Sequence, residues 1–324
     1  MQLILAPMEG LADAPMRALL TAVGGYDWCV SEFVRINDRL LPARVFRRHI
    51  PETVDGFRTP AGVPVHVQLL GSDPSALADN AALVASLGAP AIDINFGCPA
   101  KTVNRHRGGA VLLEEPEHVH AIVSAVRHAV PAGVPVSAKM RLGYRDRGKL
   151  DENVRALVEG GASWLTVHAR TKEDGYRPPA YWPEIARVRA LAPGVMVIAN
   201  GEVWTADDHA RCVAESGCAD VMLGRGAVAS PGLALAIRRR VAGSPAALPD
   251  WPAVCRLQRE FLLAVDADDD KAQVGRYKQW LTFMARVYPQ AAALFAIIRP
   301  MRTRGAILVA IDASLAAAVS REKR

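Results

Sequence analysis

A strand, a helix and a second strand follow one another in residues 65–95, VHVQLLGSDPSALADNAALVASLGAPAIDIN. An apolar strand pattern covers residues 65–69, and Asp73 with Pro74 then supplies a capping side chain and a first-turn proline. The apolar periodicity of residues 76–87 predicts the helix, and Gly88 ends it before a strand at residues 92–95. This order is typical of two parallel strands joined by a helix.

The same alternation of strand and helix patterns runs on both sides of this stretch. Further strands are predicted at residues 3–6, 28–31, 136–139, 164–167, 195–199 and 221–223, and a further helix at residues 116–129. Eight strands alternating with helices predict an α/β fold, a TIM (β/α)8 barrel. A doubly wound open sheet is the alternative, but no G-x-G-x-x-G follows the first strand.

Two proline-containing segments, Gly243-Ser244-Pro245 and Pro249-Asp250-Trp251-Pro252, separate the barrel pattern from the C-terminal part of the chain. Residues 252–320 have helical periodicity and no convincing strand pattern. We therefore expect a barrel domain over residues 1–243, followed by an all-helical domain over residues 250–324.

The composition describes a protein without membrane, metal or disulfide signals. Of its 324 residues, 51% are hydrophobic and 22% are charged, and no run of 18 apolar residues suggests a transmembrane helix. The first residues have a strand pattern and not that of a signal peptide. Five cysteines without a C-x-x-C pair favour a reduced, cytoplasmic setting and give no metal site. We expect a monomer.

The positive charge is concentrated at the C-terminus. The formal net charge is +6, and residues 251–324 hold 12 lysines and arginines against 7 aspartates and glutamates. The remaining 250 residues hold 27 against 26. The excess indicates a polyanionic partner for the helical domain, although a solvated helical surface explains it equally well.

Polar or glycine-rich positions lie at or beside the end of every predicted barrel strand. In a TIM barrel the C-terminal ends of the strands carry the functional groups, so these positions predict one large ligand at the barrel mouth. The last two, Asn200-Gly201-Glu202 and Gly224-Arg225-Gly226, offer backbone amides and a guanidinium that suit a phosphate. The other positions are Pro7-Met8-Glu9, Glu32, Gln68, Asn95, Lys139 and His168.

Two of these side chains suit particular chemistry. Lys139 ends an apolar strand, where its charge would stabilise a reduced, anionic flavin ring, or where its amine would form a Schiff base as in an aldolase. Gln68 both donates and accepts hydrogen bonds, as recognition of the uracil-like edge of a flavin requires.

A single cysteine lies between a glycine and a proline in the segment DINFGCPAK, residues 93–101. Gly97 lets the chain turn and Pro99 fixes the backbone after Cys98, so we expect this cysteine on a loop and not in a core. Its thiol carries a proton and is a candidate general acid. The alternative is a buried structural thiol.

The order of these motifs resembles that of the tRNA-dihydrouridine synthase family, and within it the C subfamily. The resemblance covers essentially the whole chain and is carried by short motifs in a fixed order. They are Leu5-Ala6-Pro7-Met8-Glu9-Gly10, Asn95-x-Gly97-Cys98-Pro99, Gly108-Gly109-Ala110, Lys139-x-Arg141-x-Gly143, Val167-His168-x-Arg170-Thr171, Asn200-Gly201-Glu202 and Gly224-Arg225-Gly226. Ser31-Glu32-Phe33-Val34-Arg35 and Lys278-Gln279-Trp280-Leu281 indicate the subfamily.

The resemblance implies an FMN enzyme that uses NADPH to reduce a uridine of the tRNA D-loop at position 16. It implies that the flavin gives hydride to C6 and that Cys98 protonates C5. It implies FMN contacts from Pro7, Met8, Glu9, Gln68, Lys139, His168, Asn200, Gly201, Glu202, Gly224 and Arg225. Candidate tRNA-binding residues are Arg35, Asn95, Arg141, Tyr176, Arg276, Lys278 and Arg299.

Two departures from the family pattern concern loops. Ala169 stands where glycine is frequent, and Arg105-His106-Arg107 brings bulk into a stretch that is often small. Alternatives to this function are a dihydroorotate-dehydrogenase-like flavoprotein, a Schiff-base aldolase through Lys139, and a non-catalytic RNA-binding protein.

Overall fold

Parallel strands form one nine-stranded sheet within the described residues, and a pairing between its second and fourth strands closes it. The structure is a computed structural model that describes residues 1–264 and 270–322. The strands are β1 (Leu3–Leu5), β2 (Trp28–Val30), β3 (Val34–Arg35), β4 (Val65–Leu70), β5 (Ile92–Phe96), β6 (Val136–Arg141), β7 (Trp164–His168), β8 (Met196–Asn200) and β9 (Val221–Leu223).

The order around the sheet confirms the predicted TIM barrel. Neighbours follow the order β2-β1-β9-β8-β7-β6-β5-β4, and the β2–β4 pairing joins the two ends of that series. All eight predicted strands are present: β9 has the predicted ends, and the ends of the other seven differ from the prediction by one or two residues. The sequence did not predict β3, a two-residue strand that pairs with β4 alone and lies outside the closed ring.

Helices connect the strands and form the C-terminal region. Asp73 caps α3 by accepting a hydrogen bond from the Ala76 amide at 2.7 Å, and α5 has the bounds that the sequence predicts. Short 3-10 helices cover Pro51–Asp55 and Gly109–Glu114. The α-helices are α1 (Ala14–Val23), α2 (Ala43–His49), α3 (Pro74–Ser86), α4 (Lys101–Arg105), α5 (Pro116–Ala129), α6 (Leu150–Glu159), α7 (Trp182–Leu191), α8 (Ala206–Ser216), α9 (Arg225–Ala229), α10 (Leu233–Val241), α11 (Trp251–Leu263), α12 (Asp270–Met284), α13 (Pro289–Ile298) and α14 (Arg304–Glu322).

Aromatic rings fill the barrel at the N-terminal ends of its strands. The His66 ring stacks on Trp28 at 5.2 Å between centroids, and Trp164 lies 5.5 Å from His66. Burial lowers the pKa of His66 from 6.5 to about 4, so the imidazole is neutral at physiological pH. These packed rings close this end of the barrel, so the functional site is expected at the C-terminal ends of the strands.

The chain divides into two compact units that interleave along the sequence. One comprises Met1–Pro7, Tyr26–Val203 and Asp207–Gly224, and holds all nine strands. The other comprises Met8–Gly25, Trp204–Ala206 and Arg225–Arg324. The domain boundary expected between residues 243 and 250 stays a prediction.

The second unit has an apolar core of its own. Trp280 is fully buried on α12, donates to the Val228 carbonyl at 2.9 Å, and packs against Phe261 of α11 at 5.0 Å between ring centroids. The Trp251 indole donates to the Ser314 hydroxyl at 2.9 Å and thereby ties α11 to α14. No helix among the described residues is long and apolar enough to cross a membrane.

Candidate active site

Polar side chains share the inner face of five neighbouring strands near their C-terminal ends. The register pairs Asn95 with Lys139, and His168 with Asn200, on parallel strands, so the side chains of each pair point the same way. Gln68 belongs to the same face through its hydrogen bond to Asn95. The first unit therefore brings together the five predicted residues Gln68, Asn95, Lys139, His168 and Asn200.

A buried carboxylate lies one step deeper in the barrel. Asp93 is paired in register with Gln68 and with Ser137. Its two oxygens accept hydrogen bonds from Ser137 Oγ at 2.6 Å and from Gln68 Nε2 at 2.7 Å. Burial raises the pKa of Asp93, while the two hydrogen bonds and the charge of Lys139 act in the opposite direction.

Asn95 links this carboxylate to the cysteine loop. Its Nδ2 donates to Gln68 Oε1 at 2.8 Å. Its Oδ1 accepts from the backbone amides of Gly97 and Cys98, both at 2.9 Å. A side chain at the end of β5 thus fixes the turn that follows the strand.

Cys98 lies on the predicted loop, but its side chain is buried. The thiol packs in a small apolar cluster with Leu70 and Val103 and is 8% exposed. The expectation that it stays outside any core was wrong, because α4 folds back over the loop and brings Val103 onto it. Gly109 allows this approach, since it has φ +68° and an added Cβ would meet the Cys98 carbonyl oxygen at 2.9 Å.

Lys139 extends from β6 towards Asn200. Its Nζ donates to Asn200 Oδ1 at 3.2 Å, and Asn200 Nδ2 donates to the Met222 carbonyl at 2.8 Å. Burial, and after it the positive charge of Arg141, lowers the pKa of the Lys139 amine from 10.5 to about 8. A half-buried amine of this kind is sensitive to any charge that is placed beside it.

Arg141 is buried and holds the cysteine loop from the other side. Its Nε donates to the Gly97 carbonyl at 2.8 Å, and its Nη1 donates to the carbonyls of Thr171 and Gly175 at 2.9 and 3.1 Å. The exposed ring of Tyr176 covers the guanidinium at 5.4 Å. These contacts tie the loop after β5 to the loop after β7, and the predicted contact of Arg141 and Tyr176 with tRNA stays a prediction.

His168 and Gly201 lie close together at the ends of β7 and β8. Gly201 has φ +119°, and a Cβ there would lie 2.9 Å from Cδ2 of His168. Glu202 also has a positive φ, of 59°, and its carboxylate forms an ion pair with the fully buried Arg170. The backbone of Gly201 therefore lies close against the His168 ring, and position 201 has no room for a larger side chain.

The predicted site residues of the second unit have partners of their own. Arg225 lies 5.3 Å from the Trp204 ring. Arg276 forms an ion pair with Asp13 at 2.9 Å. Lys278 donates to the carbonyls of Arg299 and Met301 at 3.0 and 2.6 Å. Met8 is half-buried, and Glu9 and Arg299 are exposed.

Arg35 ends β3 and is exposed at a cleft beside the cysteine loop. The cleft has a volume of about 530 Å³, and His106 and Gly108 from the segment after Cys98 also line it. Asp38 and Asp73 give the same cleft negative charge, so Arg35 is not part of a uniformly basic surface there.

Sequence reasoning missed three residues that build this site. Asp93 anchors Gln68, Ser137 donates to the other oxygen of Asp93, and Asn104 donates to the Cys98 carbonyl at 2.9 Å. A usable signal was the two-residue spacing of Asp93 and Asn95 on one strand, which puts both on the same face.

The chain matches the family model described as dihydrouridine synthase over residues 4–267. A tRNA-dihydrouridine(16) synthase of Aquipseudomonas alcaligenes is 54% identical over 300 residues, which are 92% of this chain and 95% of that protein. One from Ralstonia nicotianae is 54% identical over 316 residues, 97% and 96% of the two chains. One from Shewanella oneidensis is 45% identical over 313 residues, 96% and 98% of the two chains.

Among solved structures, a 2-naphthoyl-CoA reductase in complex with 2-naphthoyl-CoA has a similar fold. The TM-score is 0.55 at 11% identity, over 75% of this chain and 50% of that one. At this identity the likeness concerns the fold alone.

Proposed function

This chain belongs to the dihydrouridine synthase family, and from that membership we propose that it reduces a uridine of the tRNA D-loop to 5,6-dihydrouridine. We propose position 16 as the target, because the relatives that align over nearly their whole length carry that position in their names. The observation that carries the proposal is the buried polar chain that holds the Cys98 loop beside Lys139. Family membership disfavours the dihydroorotate-dehydrogenase-like, aldolase and non-catalytic alternatives.

We propose FMN as the flavin and NADPH as the reductant. The side chains at the barrel mouth fit a flavin ring, because Lys139 supplies a half-buried positive charge and Gln68 keeps one N–H and one lone pair beyond its bonds to Asp93 and Asn95. His168, Asn200 and Gly201 would hold the same group. A reduced flavin, when bound, supplies the hydride that C6 of the uracil receives. Pro7, Met8, Glu9, Glu202, Gly224 and Arg225 remain further proposed contacts.

The protein's part in the reaction is to place the base and to deliver a proton. We propose that the Cys98 thiol gives its proton to C5 while C6 receives hydride, so the double bond becomes a single bond and a thiolate remains. Water from solvent then restores the thiol. Asn95 and Arg141 keep the loop in place during this step through the Gly97 and Cys98 backbone.

Delivery of the base requires that the tRNA releases it. A stacked uridine cannot enter the barrel mouth, so the target base must be unstacked. We propose that residues 250–324 form the tRNA-binding domain, because the excess positive charge of the chain lies there. Arg276, Lys278 and Arg299 from that region, and Arg35, Asn95, Arg141 and Tyr176 from the barrel, are the proposed tRNA contacts. We propose a monomer that acts in the cytoplasm.

The test is to delete the gene and map dihydrouridine in total tRNA by mass spectrometry. Loss at position 16 alone, restored by the wild-type gene and not by Cys98→Ala, is the expected result. Retention of dihydrouridine at position 16 in the deletion strain would refute the proposed target. The released chromophore of the denatured protein identifies the flavin, and FAD in place of FMN would correct that part of the proposal.

A further inference from the structure

The hydrogen bonds around Asp93 form one chain with a fixed direction. Gln68, Asp93 and Ser137 are at most 2% exposed and Asn95 is 8% exposed, so water does not substitute for these bonds. Both Asp93 oxygens accept, one from Ser137 and one from Gln68. Ser137 Oγ also lies 3.5 Å from the Ile92 carbonyl oxygen, so the serine hydroxyl is able to turn towards either oxygen. Gln68 Nε2 donates to Asp93 Oδ2 in both cases, and Asp93 is therefore the acceptor end of this hydrogen-bond chain.

The direction of the chain fixes two amide orientations. Gln68 turns its NH2 group towards Asp93, so its carbonyl oxygen faces Asn95. Asn95 then turns its NH2 group towards Gln68, and its own carbonyl oxygen faces the two backbone N–H groups of Gly97 and Cys98. If the Asn95 amide were reversed, its NH2 would face two N–H donors, and buried donors would lack acceptors.

We propose that Asp93 is a positioning residue for Cys98: its carboxylate is the fixed acceptor end of the chain through Gln68 and Asn95 that holds the Cys98 backbone at the barrel mouth. Asp93 does not touch Cys98, and its effect reaches the loop through two side-chain amides. The effect of this hydrogen-bond chain on the reaction rests on the proposed role of Cys98 as the acid. The effect on the loop itself does not depend on that role.

Three variants distinguish the effect of the hydrogen-bond chain from that of the packing around Asp93. Asp93→Leu keeps the branched shape of the side chain with bulkier end groups and removes the acceptor, so Gln68 loses its anchor. Asp93→Asn keeps a neutral acceptor, provided that its NH2 turns towards Ser137. Ser137→Ala is the matched control, because it removes one buried bond to the same carboxylate and leaves the path from Asp93 to Cys98 complete.

The first measurement is hydrogen exchange of the Gly97 and Cys98 amides in the flavin-loaded full-length protein. We expect exchange to be about 10- to 100-fold faster in Asp93→Leu, about 3- to 10-fold faster in Asp93→Asn, and near the wild-type rate in Ser137→Ala. If Asp93→Leu does not fold, the comparison of Asp93→Asn with Ser137→Ala decides. Equal exchange in those two variants overturns the proposal.

The second measurement is single-turnover reduction of tRNA, with reduction of the flavin by NADPH as the internal reference. We expect Asp93→Leu to slow tRNA reduction much more than the NADPH step, which depends on Gln68 only through its proposed contact with the flavin. In a Cys98→Ala background the same substitution should slow the reaction by no more than about twofold, because both changes act on one group. The positioning role is overturned if the rate losses of Asp93→Leu and Cys98→Ala multiply in the double variant. It is also overturned if Asp93→Leu slows the NADPH step as much as tRNA reduction. If no tRNA is reduced by the wild-type protein, the proposed function fails. The hydrogen-exchange measurement still tests whether Asp93 holds the cysteine loop through the hydrogen-bond chain.

Discussion

Lys139 gives a prediction whose sign and size follow from its surroundings. The amine is half-buried, and burial lowers its pKa from 10.5 to about 8. Above about pH 8 the folded protein therefore holds the neutral amine, while the unfolded chain keeps it charged up to about pH 10.5. The penalty for burying the charge is complete below pH 8, falls as the pH rises from 8 to 10.5, and disappears above that range.

The size of the penalty follows from the two pKa values. Their difference corresponds to ~3 kcal/mol below pH 8, and partial exposure of the side chain reduces this to ~2 kcal/mol. At pH 10 most of the penalty is gone. We therefore expect the penalty to differ by ~1–2 kcal/mol between pH 7 and pH 10.

The assay is urea unfolding of the flavin-free full-length protein and of Lys139→Met at both pH values. Methionine has a similar length and no charge. The free energy of unfolding of Lys139→Met minus that of the wild type should be more positive at pH 7 than at pH 10 by ~1–2 kcal/mol, which means that the substitution stabilises more at pH 7. Lys139→Met also removes the hydrogen bond to Asn200, which lowers stability at both pH values, and more so at pH 7, where the donor is charged.

Lys271→Met is the matched control, since it makes the same change on an exposed position of α12. Its effect should be small, and it should change little between pH 7 and pH 10. The reasoning about burial of Lys139 is refuted if the free energy of unfolding of Lys139→Met minus that of the wild type is the same at both pH values, or more positive at pH 10.

Three further predictions concern the reaction, the backbone and the tRNA. Cys98→Ala should slow tRNA reduction by ~10²–10⁴-fold and leave NADPH oxidation by the flavin unchanged in rapid-mixing absorbance measurements; wild-type tRNA reduction would exclude the thiol as the acid. Gly201→Ala should lower the free energy of unfolding by ~1–3 kcal/mol, because φ is +119° and His168 is in the way, whereas Gly133→Ala, with open space around it, should change it little. Glutamine at each proposed basic contact should weaken tRNA binding and reduce the salt dependence by about one counterion in filter-binding titrations; no change in any variant would refute these contacts. The positions to be substituted are Arg35, Arg276, Lys278 and Arg299; Arg141 is left unchanged, because its guanidinium holds the cysteine loop.

The barrel was predictable because its elements are marked in the local sequence. Asp73 and Pro74 begin α3, and the bounds of α5 follow from Pro116 and the apolar spacing after it. β3 was missed for the opposite reason. Two residues, Val34–Arg35, carry no periodicity, and only their pairing with β4 makes them a strand.

The contacts within the site were less predictable than the residues that make them. The sequence indicated that Arg141 lies near the site, but a guanidinium that suits a phosphate also suits three backbone carbonyls, and the structure uses it for the latter. The burial of Cys98 depends on α4 folding back, and nothing in five residues of helix determines their tertiary direction. Residue type fixes what a side chain is able to bind, whereas the partner is fixed only by the assembled barrel.

The hydrogen bonds already made within the protein also limit what the site residues are able to recognise. Asn95 uses both lone pairs of its carbonyl oxygen on the Gly97 and Cys98 amides and one N–H on Gln68. It is left with a single N–H, so any contact it makes with a uracil ring must be to a carbonyl oxygen and not to the N3–H group. Gln68 keeps one donor and one acceptor and is able to meet both kinds of group. The same amides that hold the cysteine loop thus determine which edge of a ring each of them is able to bind.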